Sequence, residues 1–267
     1  MTNMTEKKNH LYTIKFSHYC EKVRWTLDYY KVKTVEHGYL PAMHFKAIAS
    51  KVKWHGKADR TSSRFSTPLY IDRDGTLIQK SIDIMKYLDG RYRNDSQKSL
   101  FPSKEVENLV QHYHDFFGTH TRRIAYYFIL NNKKLVFALA NNNVDKFQAL
   151  LCRLFYPCFQ TFLAKGLSIN RHSYQKSLQY ARKEIEKVSL TLKDKRKFLM
   201  GDNFTAADIS FASLAVPLLM VSSQEGFAAK LPMVKHVPEE FQELIGEFRT
   251  SLAGQYALRM FKDYRKV

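Results

Sequence analysis

The sequence predicts two units of different class, an α/β unit over residues 1–89 and an all-helical unit over 102–267. Three observations carry this. Strand-like alternation occurs at Leu11–Phe16 and again from Thr67 to Ile78, and then stops. Helical spacing alone marks the second half. Between them, residues 90–103 form a polar, turn-rich stretch with Leu100-Phe101-Pro102 near its end, and 90–101 reads as a linker.

The elements follow in order. Tyr12, Ile14 and Phe16 fall on one face of a first strand, and Cys20, Val23, Leu27 and Tyr30 then repeat at helical spacing. Val35–Leu40 reads as a second strand closed by Pro41. The stretch from Met43 to Phe65 is basic, short of aliphatics and assigned no element. Thr67-Pro68-Leu69-Tyr70-Ile71-Asp72, Arg73-Asp74-Gly75 and Thr76-Leu77-Ile78 make a strand, a tight turn and a strand. Ser81 opens a helix in which Ile82, Met85 and Leu88 stack. Beyond the linker, Val106, Leu109, Val110, Tyr113, Phe117, Ile124 and Phe128 mark one long helix. Further helices are expected over 147–163, 174–192, 206–221 and 238–252. Thr205-Ala206-Ala207-Asp208 is a capping box, which gives Asp208 a structural task.

Composition narrows the class. The chain has 267 residues, 45% hydrophobic and 25% charged, as expected of a soluble globular protein. Its longest apolar stretch, 211–221, is interrupted by Ser213 and Pro217 and too short to span a bilayer. No signal-peptide core follows the polar first ten residues, and Cys20, Cys152 and Cys158 form no spaced framework, so a reducing cytoplasm is the expected setting. The net charge is +18. Residues 1–89 hold 16 Lys and Arg against nine Asp and Glu, a net +7, which leaves +11 for the rest. The excess is therefore spread along the chain. It would attract anions, nucleic acid or acidic membranes, but no recognition motif accompanies it.

The segment Ser17-His18-Tyr19-Cys20 sits where the first strand meets the first helix. A disulfide-cycling enzyme carries two cysteines at such a turn, and here the first position is a hydroxyl. A helix mouth offers free N–H groups and a positive dipole end, a setting for an anion. Ser17 can therefore serve as a simple cap or as a donor to a thiolate. Cys20, one turn further in, is the alternative thiol. Farther along, His112-Tyr113-His114 cannot chelate a metal as a pair, because helical residues two apart point to different sides.

Together, Ser17-His18-Tyr19-Cys20-Glu21-Lys22-Val23-Arg24-Trp25, Ser66-Thr67-Pro68-Leu69, Ser81-Ile82-Asp83-Ile84-Met85-Lys86-Tyr87-Leu88 and 201–209 resemble the cytosolic glutathione transferase family in its serine-type, bacterial-like form. The resemblance implies a thioredoxin-like glutathione-binding domain followed by a helical bundle that binds the acceptor substrate. It implies glutathione as co-substrate, no metal, a small apolar electrophile, a homodimer and a role in detoxification. Residue by residue, Ser17 matches the hydroxyl that holds the glutathione thiolate. Thr67-Pro68 matches the cis-proline turn that pairs with the cysteinyl backbone, and Ser81 matches the helix-opening serine on the γ-glutamyl carboxylate. Lys80 stands where the family usually has an acidic residue or Gln. A lysine there would attract that carboxylate and repel the neighbouring ammonium. The family builds its acceptor pocket from the first long helix, which makes His112, Tyr113, Phe116 and His120 candidates, with ordinary packing as the other reading.

Two functions compete. One is glutathione transfer, with isomerisation, reductive dehalogenation or thiol transfer using the same thiolate. The other is a non-catalytic module of the same fold whose basic surface binds RNA, an acidic protein or an anionic membrane.

Overall fold

The computed structural model describes residues 7–55 and 65–265. Its first unit runs β1 (Asn9–Ile14), α1 (His18–Tyr29), β2 (Thr34–Tyr39), α2 (His44–His55), β3 (Leu69–Ile71), β4 (Leu77–Gln79) and α3 (Ser81–Tyr92). The sheet order is β2-β1-β3-β4, with β1 and β2 parallel and the other pairs antiparallel. This is the expected thioredoxin-like α/β arrangement, with one addition. The segment left without an element carries α2, which covers one sheet face with Ile48 and Val52 against Tyr12 and Leu69. Two aliphatics one turn apart suffice because the sheet supplies the rest of the apolar surface. Tyr12 is buried there and stacks on His37.

The opposite face packs on α1 and α3 through Leu11, Val23, Met85 and Leu88, and this core continues into the helical unit. The helix α3 runs to Tyr92, three residues into the segment read as a linker, so the connection spans 93–103. Asp89 anchors it, accepting from the Leu100 N–H at 2.7 Å and the Ser99 hydroxyl at 2.8 Å.

The helical unit comprises α4 (Lys104–His112), a π-helical turn (Tyr113–Phe117), α5 (Gly118–Ile129), α6 (Lys133–Asn143), α7 (Lys146–Leu154), α8 (Tyr156–Gly166), α9 (Arg171–Thr191), α10 (Ala206–Leu219), α11 (Glu239–Thr250) and α12 (Leu252–Tyr264). The expected helix over 147–163 is two helices broken at Phe155. Pro157 lies in the first turn of α8 and has no N–H to continue the α7 ladder. The axis of the unit is α10, almost wholly buried. Its Thr205–Asp208 capping box forms, with the Thr205 N–H donating to Asp208 at 2.7 Å. Arg265 returns the chain to the first unit, where its guanidinium meets Glu21 at 2.8 Å and also Asp28. Among the described residues no helix is long and apolar enough to cross a membrane.

Candidate active site

Two helix mouths face the junction between the units, where His18 meets Gly118 and Lys22 and Ser81 meet His114. At the first, Ser17 caps α1, its hydroxyl accepting from the Cys20 N–H at 3.4 Å and its own N–H donating to the Ile14 carbonyl at 2.9 Å. Ser17 is half-buried, while Cys20 is fully buried and burial pushes its thiol up. A thiol protonated and sealed under the helix is a poor nucleophile. His18 beside it is held neutral, lowered to about 3 by burial and then by the positive charge of Arg122. Its Nε2–H therefore donates to the Gly118 carbonyl, 3.0 Å away. Glycine is required at 118 because a Cβ would stand 2.8 Å from both the Tyr19 hydroxyl and Leu214.

Behind α1, Arg24 reaches Glu36 at 2.6 Å, Glu21 at 3.2 Å and the Lys15 carbonyl at 2.8 Å. Burial alone would raise the Glu36 carboxyl, but Arg24 and the Thr13 hydroxyl hold it at about 2. This ionised lattice locks α1 to β1 and β2 and so fixes where Ser17 points.

At the second mouth the Thr67–Pro68 bond is cis, as the Ser-Thr-Pro-Leu match implies. Lys80 precedes α3 with φ of +67°, in the left-handed region a side chain rarely adopts, and the β4–α3 turn holds it there. Ser81 is buried at the first turn of α3. Its hydroxyl lies 3.3 Å from His114 Nδ1, and Lys22 Nζ approaches the same nitrogen at 3.1 Å. His114 is lowered to about 3 by burial and by Lys22, Arg122 and Lys80, so its ring is neutral and Nδ1 is the acceptor. Lys22 is fully buried and drops to about 7 for the same first reason, with Asp115 opposing. A buried lysine amine and the Ser81 hydroxyl thus converge on one imidazole nitrogen beside the N-terminus of α3. Were His114 displaced, the same donors would suit a carboxylate.

His112, Phe116 and His120 lie together, His112 stacking on Phe116 and Phe116 meeting His120 edge-on. His112 pairs with Glu184 of α9 at 2.9 Å, and His120 Nδ1 meets Ser177 at 3.0 Å. Phe116 packs on Tyr180, and Tyr113 packs on Phe211 of α10. The π turn inserts a residue into the helical register and swings His114, the neighbour passed over, toward α1 and α3. A separate apolar cleft lies beside the β1–α1 turn, lined by Phe16, Tyr126, Leu139, Cys152, Phe159 and Leu163. Its cavity is about 20 Å³, room for a single water. No group of three or more potential metal ligands occurs among the described residues.

Residues 11–96, which carry both helix mouths, match the family model of the glutathione S-transferase N-terminal domain. The chain has a glutathione transferase fold. It is similar over 97% of its length to a glutathione S-transferase of Ceriporiopsis subvermispora in complex with glutathione (18% identity, 98% of that chain, TM-score 0.61). A glutathione transferase of Phanerochaete chrysosporium superposes at TM-score 0.62 (18% identity, 97% and 99% covered). A β-etherase of Sphingobium sp. strain SYK-6 superposes at 0.54 (15% identity, 94% and 99% covered). No curated protein sequence matches the chain. Within this glutathione transferase fold, Lys22 and His114 meet at Ser81, although sequence reading assigns neither a role. The only signal was the His112-Tyr113-His114 run, and which of its members faces the junction depends on the π turn.

Proposed function

We propose that the protein is a glutathione transferase in which the Ser17 hydroxyl, at the mouth of α1, holds the glutathione thiolate for attack on a small apolar electrophile. The observation that carries the reading is the contrast at that turn: Ser17 is only half-buried at the helix mouth, while Cys20 is fully buried and its thiol pushed up. A hydroxyl donor beside a positive dipole end lowers the pKa of a bound thiol, and the same contacts fix it for attack. The cysteinyl backbone pairs along Thr67-Pro68. The γ-glutamyl carboxylate sits on Ser81 and takes Lys22 as a counter-ion, while Lys80 bears on the adjoining ammonium. The electrophile enters the apolar cleft beside Phe16, which must widen to admit it. A homodimer is the expected assembly.

The test titrates the thiolate absorbance of bound glutathione and assays turnover with a chlorodinitrobenzene, in the wild type and in Ser17→Ala and Cys20→Ala. Loss of turnover in Cys20→Ala alone would reverse the assignment. A wild type that neither binds glutathione nor turns over would leave the non-catalytic module.

A further inference from the structure

We propose that the successive helices α7 and α8 dock the protein onto anionic lipid bilayers. The proposal stands on this helix pair and does not rest on the transferase reading. Eleven large hydrophobic side chains are exposed among the described residues, and five of them, Phe147, Leu150, Leu154, Phe155 and Phe162, lie on this one stretch, residues 146–166. Phe45 and Phe65 extend the group, Phe45 packing against both Phe65 and Phe162. Single exposed apolar residues need no explanation, but a cluster of this size does.

The pattern is built rather than scattered. Phe147, Leu150 and Leu154 fall within about 60° of one another on a helix of 3.6 residues per turn, opposite the buried Ala149 and Cys152. α7 is therefore apolar on two faces: one closes the cleft beside Phe16, and the other faces out. In α8 the inward residues are Leu163 and Phe159, while Phe162 is exposed, as is Phe155 just before the helix. Folding accounts for the inner faces only.

Charge selects the occupant. Residues 131–170 contain five cations, Lys133, Lys134, Lys146, Arg153 and Lys165, and one acid, Asp145. Asp145 is engaged in capping α7. All five cations are exposed, and among the described residues none pairs with a carboxylate. Outward Phe and Leu among unpaired Lys and Arg is the composition of helices that lie in the headgroup plane of an acidic membrane. A second copy of this chain would bring the same positive charge to the face and be repelled. A bilayer containing phosphatidylserine supplies both the apolar phase and the counter-charge.

The full chain is floated with vesicles of phosphatidylcholine alone and of roughly three parts phosphatidylcholine to one of phosphatidylserine. Association with the anionic vesicles is expected, weakened by raised salt and by Arg153→Glu with Lys165→Glu. The triple variant Phe147→Glu, Leu154→Glu, Phe155→Glu should lose about tenfold or more in partition. These side chains are 58–68% exposed, so the fold should persist, as circular dichroism would check. Independently of any variant, a polarity-sensitive dye on Cys158, exposed where Cys20 and Cys152 are buried, should shift to the blue on adding anionic vesicles. The proposal fails if the triple variant floats like the wild type, since bulk charge alone would then bind. It fails also if the wild type stays unbound and its dye unshifted. It fails, finally, if sedimentation gives a dimer that the triple variant dissociates, because a second copy would then cover the face.

Discussion

The mouths of α1 and α3 are both helix N-termini opened by a serine, yet they are surrounded differently. Around Ser17, His18 sits near 3 and Cys20 keeps its proton, both chiefly through burial, with Arg122 and Arg24 the cations that bear on them. Around Ser81 stand Lys22 and Lys80, with His114 neutral between the Lys22 amine and the serine hydroxyl. The helix dipole is common to both and worth at most about 2 kcal/mol. The side chains make the difference. The first mouth offers a hydroxyl and N–H groups to an anion that must remain reactive. The second offers a buried ammonium to an anion that must only be held.

The largest effect that would break this contrast is the cost of the buried charge. An unfolded lysine keeps its proton to its ordinary 10.5, whereas Lys22 in the fold releases it at about 7. Between those values the unfolded state binds more protons, so the Lys22 contribution makes stability rise with pH over that window. Its penalty is full below about pH 7 and fades toward pH 10. Lys22→Met should therefore stabilise the ligand-free protein at pH 6 by a few kcal/mol and flatten the rise, as chemical denaturation across pH would measure. Glutathione should bind more weakly to that variant, most clearly at low pH where the wild-type amine is charged. A flat wild-type curve would mean that Lys22 is not buried as a cation.

The next effect belongs to the first mouth. Ser17→Ala should raise the pKa of bound glutathione by one to two units, about 1.4 kcal/mol each, and cut thiolate at neutral pH roughly ten- to hundredfold. Affinity should change little. Ser81→Ala should do the opposite, weakening binding by roughly 1–3 kcal/mol through loss of a charged hydrogen bond while the pKa of the bound thiol holds. Calorimetry and thiolate titration on the two variants separate the roles. If both variants moved both readouts alike, the two mouths would form one undivided site.

What was legible in the sequence follows the range of the interactions. Ser17 is readable because capping is local, and Asp208 because its box spans three residues. Ser81 opens α3 as read, but it stands one position past the cap, Lys80, and its hydroxyl turns to His114. The helix α2 escaped because its core signal is only Ile48 and Val52 in a basic stretch. The helix α12 escaped because Ser251 alone separates it from α11, with no glycine or proline to mark the joint. Lys22 and His114 lie 92 positions apart and meet only through the π turn at Tyr113–Phe117, which has no sequence signature of its own. Pairings of that kind are set by tertiary register, and periodicity reports only faces.

The smallest effect tests whether the charged mouth is overcharged for its ligand. Glutathione carries an ammonium beside the γ-glutamyl carboxylate, so a ring of cations that holds the one repels the other. Lys22 is buried and near the Ser81 hydroxyl through His114, where the carboxylate belongs. Lys80 is only half-buried, at the turn before α3, so water screens its charge. Lys80→Gln, which restores the amide usual in the family at this position, should therefore tighten glutathione by no more than about 1 kcal/mol, a few-fold in affinity. The gain should shrink as salt rises. The same substitution should leave binding of a glutathione analogue lacking the amino group unchanged or slightly weakened, because only attraction to the carboxylate is then lost. Calorimetry with both ligands at two salt concentrations reads the difference. Equal tightening of both ligands would mean that Lys80 acts through its left-handed backbone at the β4–α3 turn, and not through its charge.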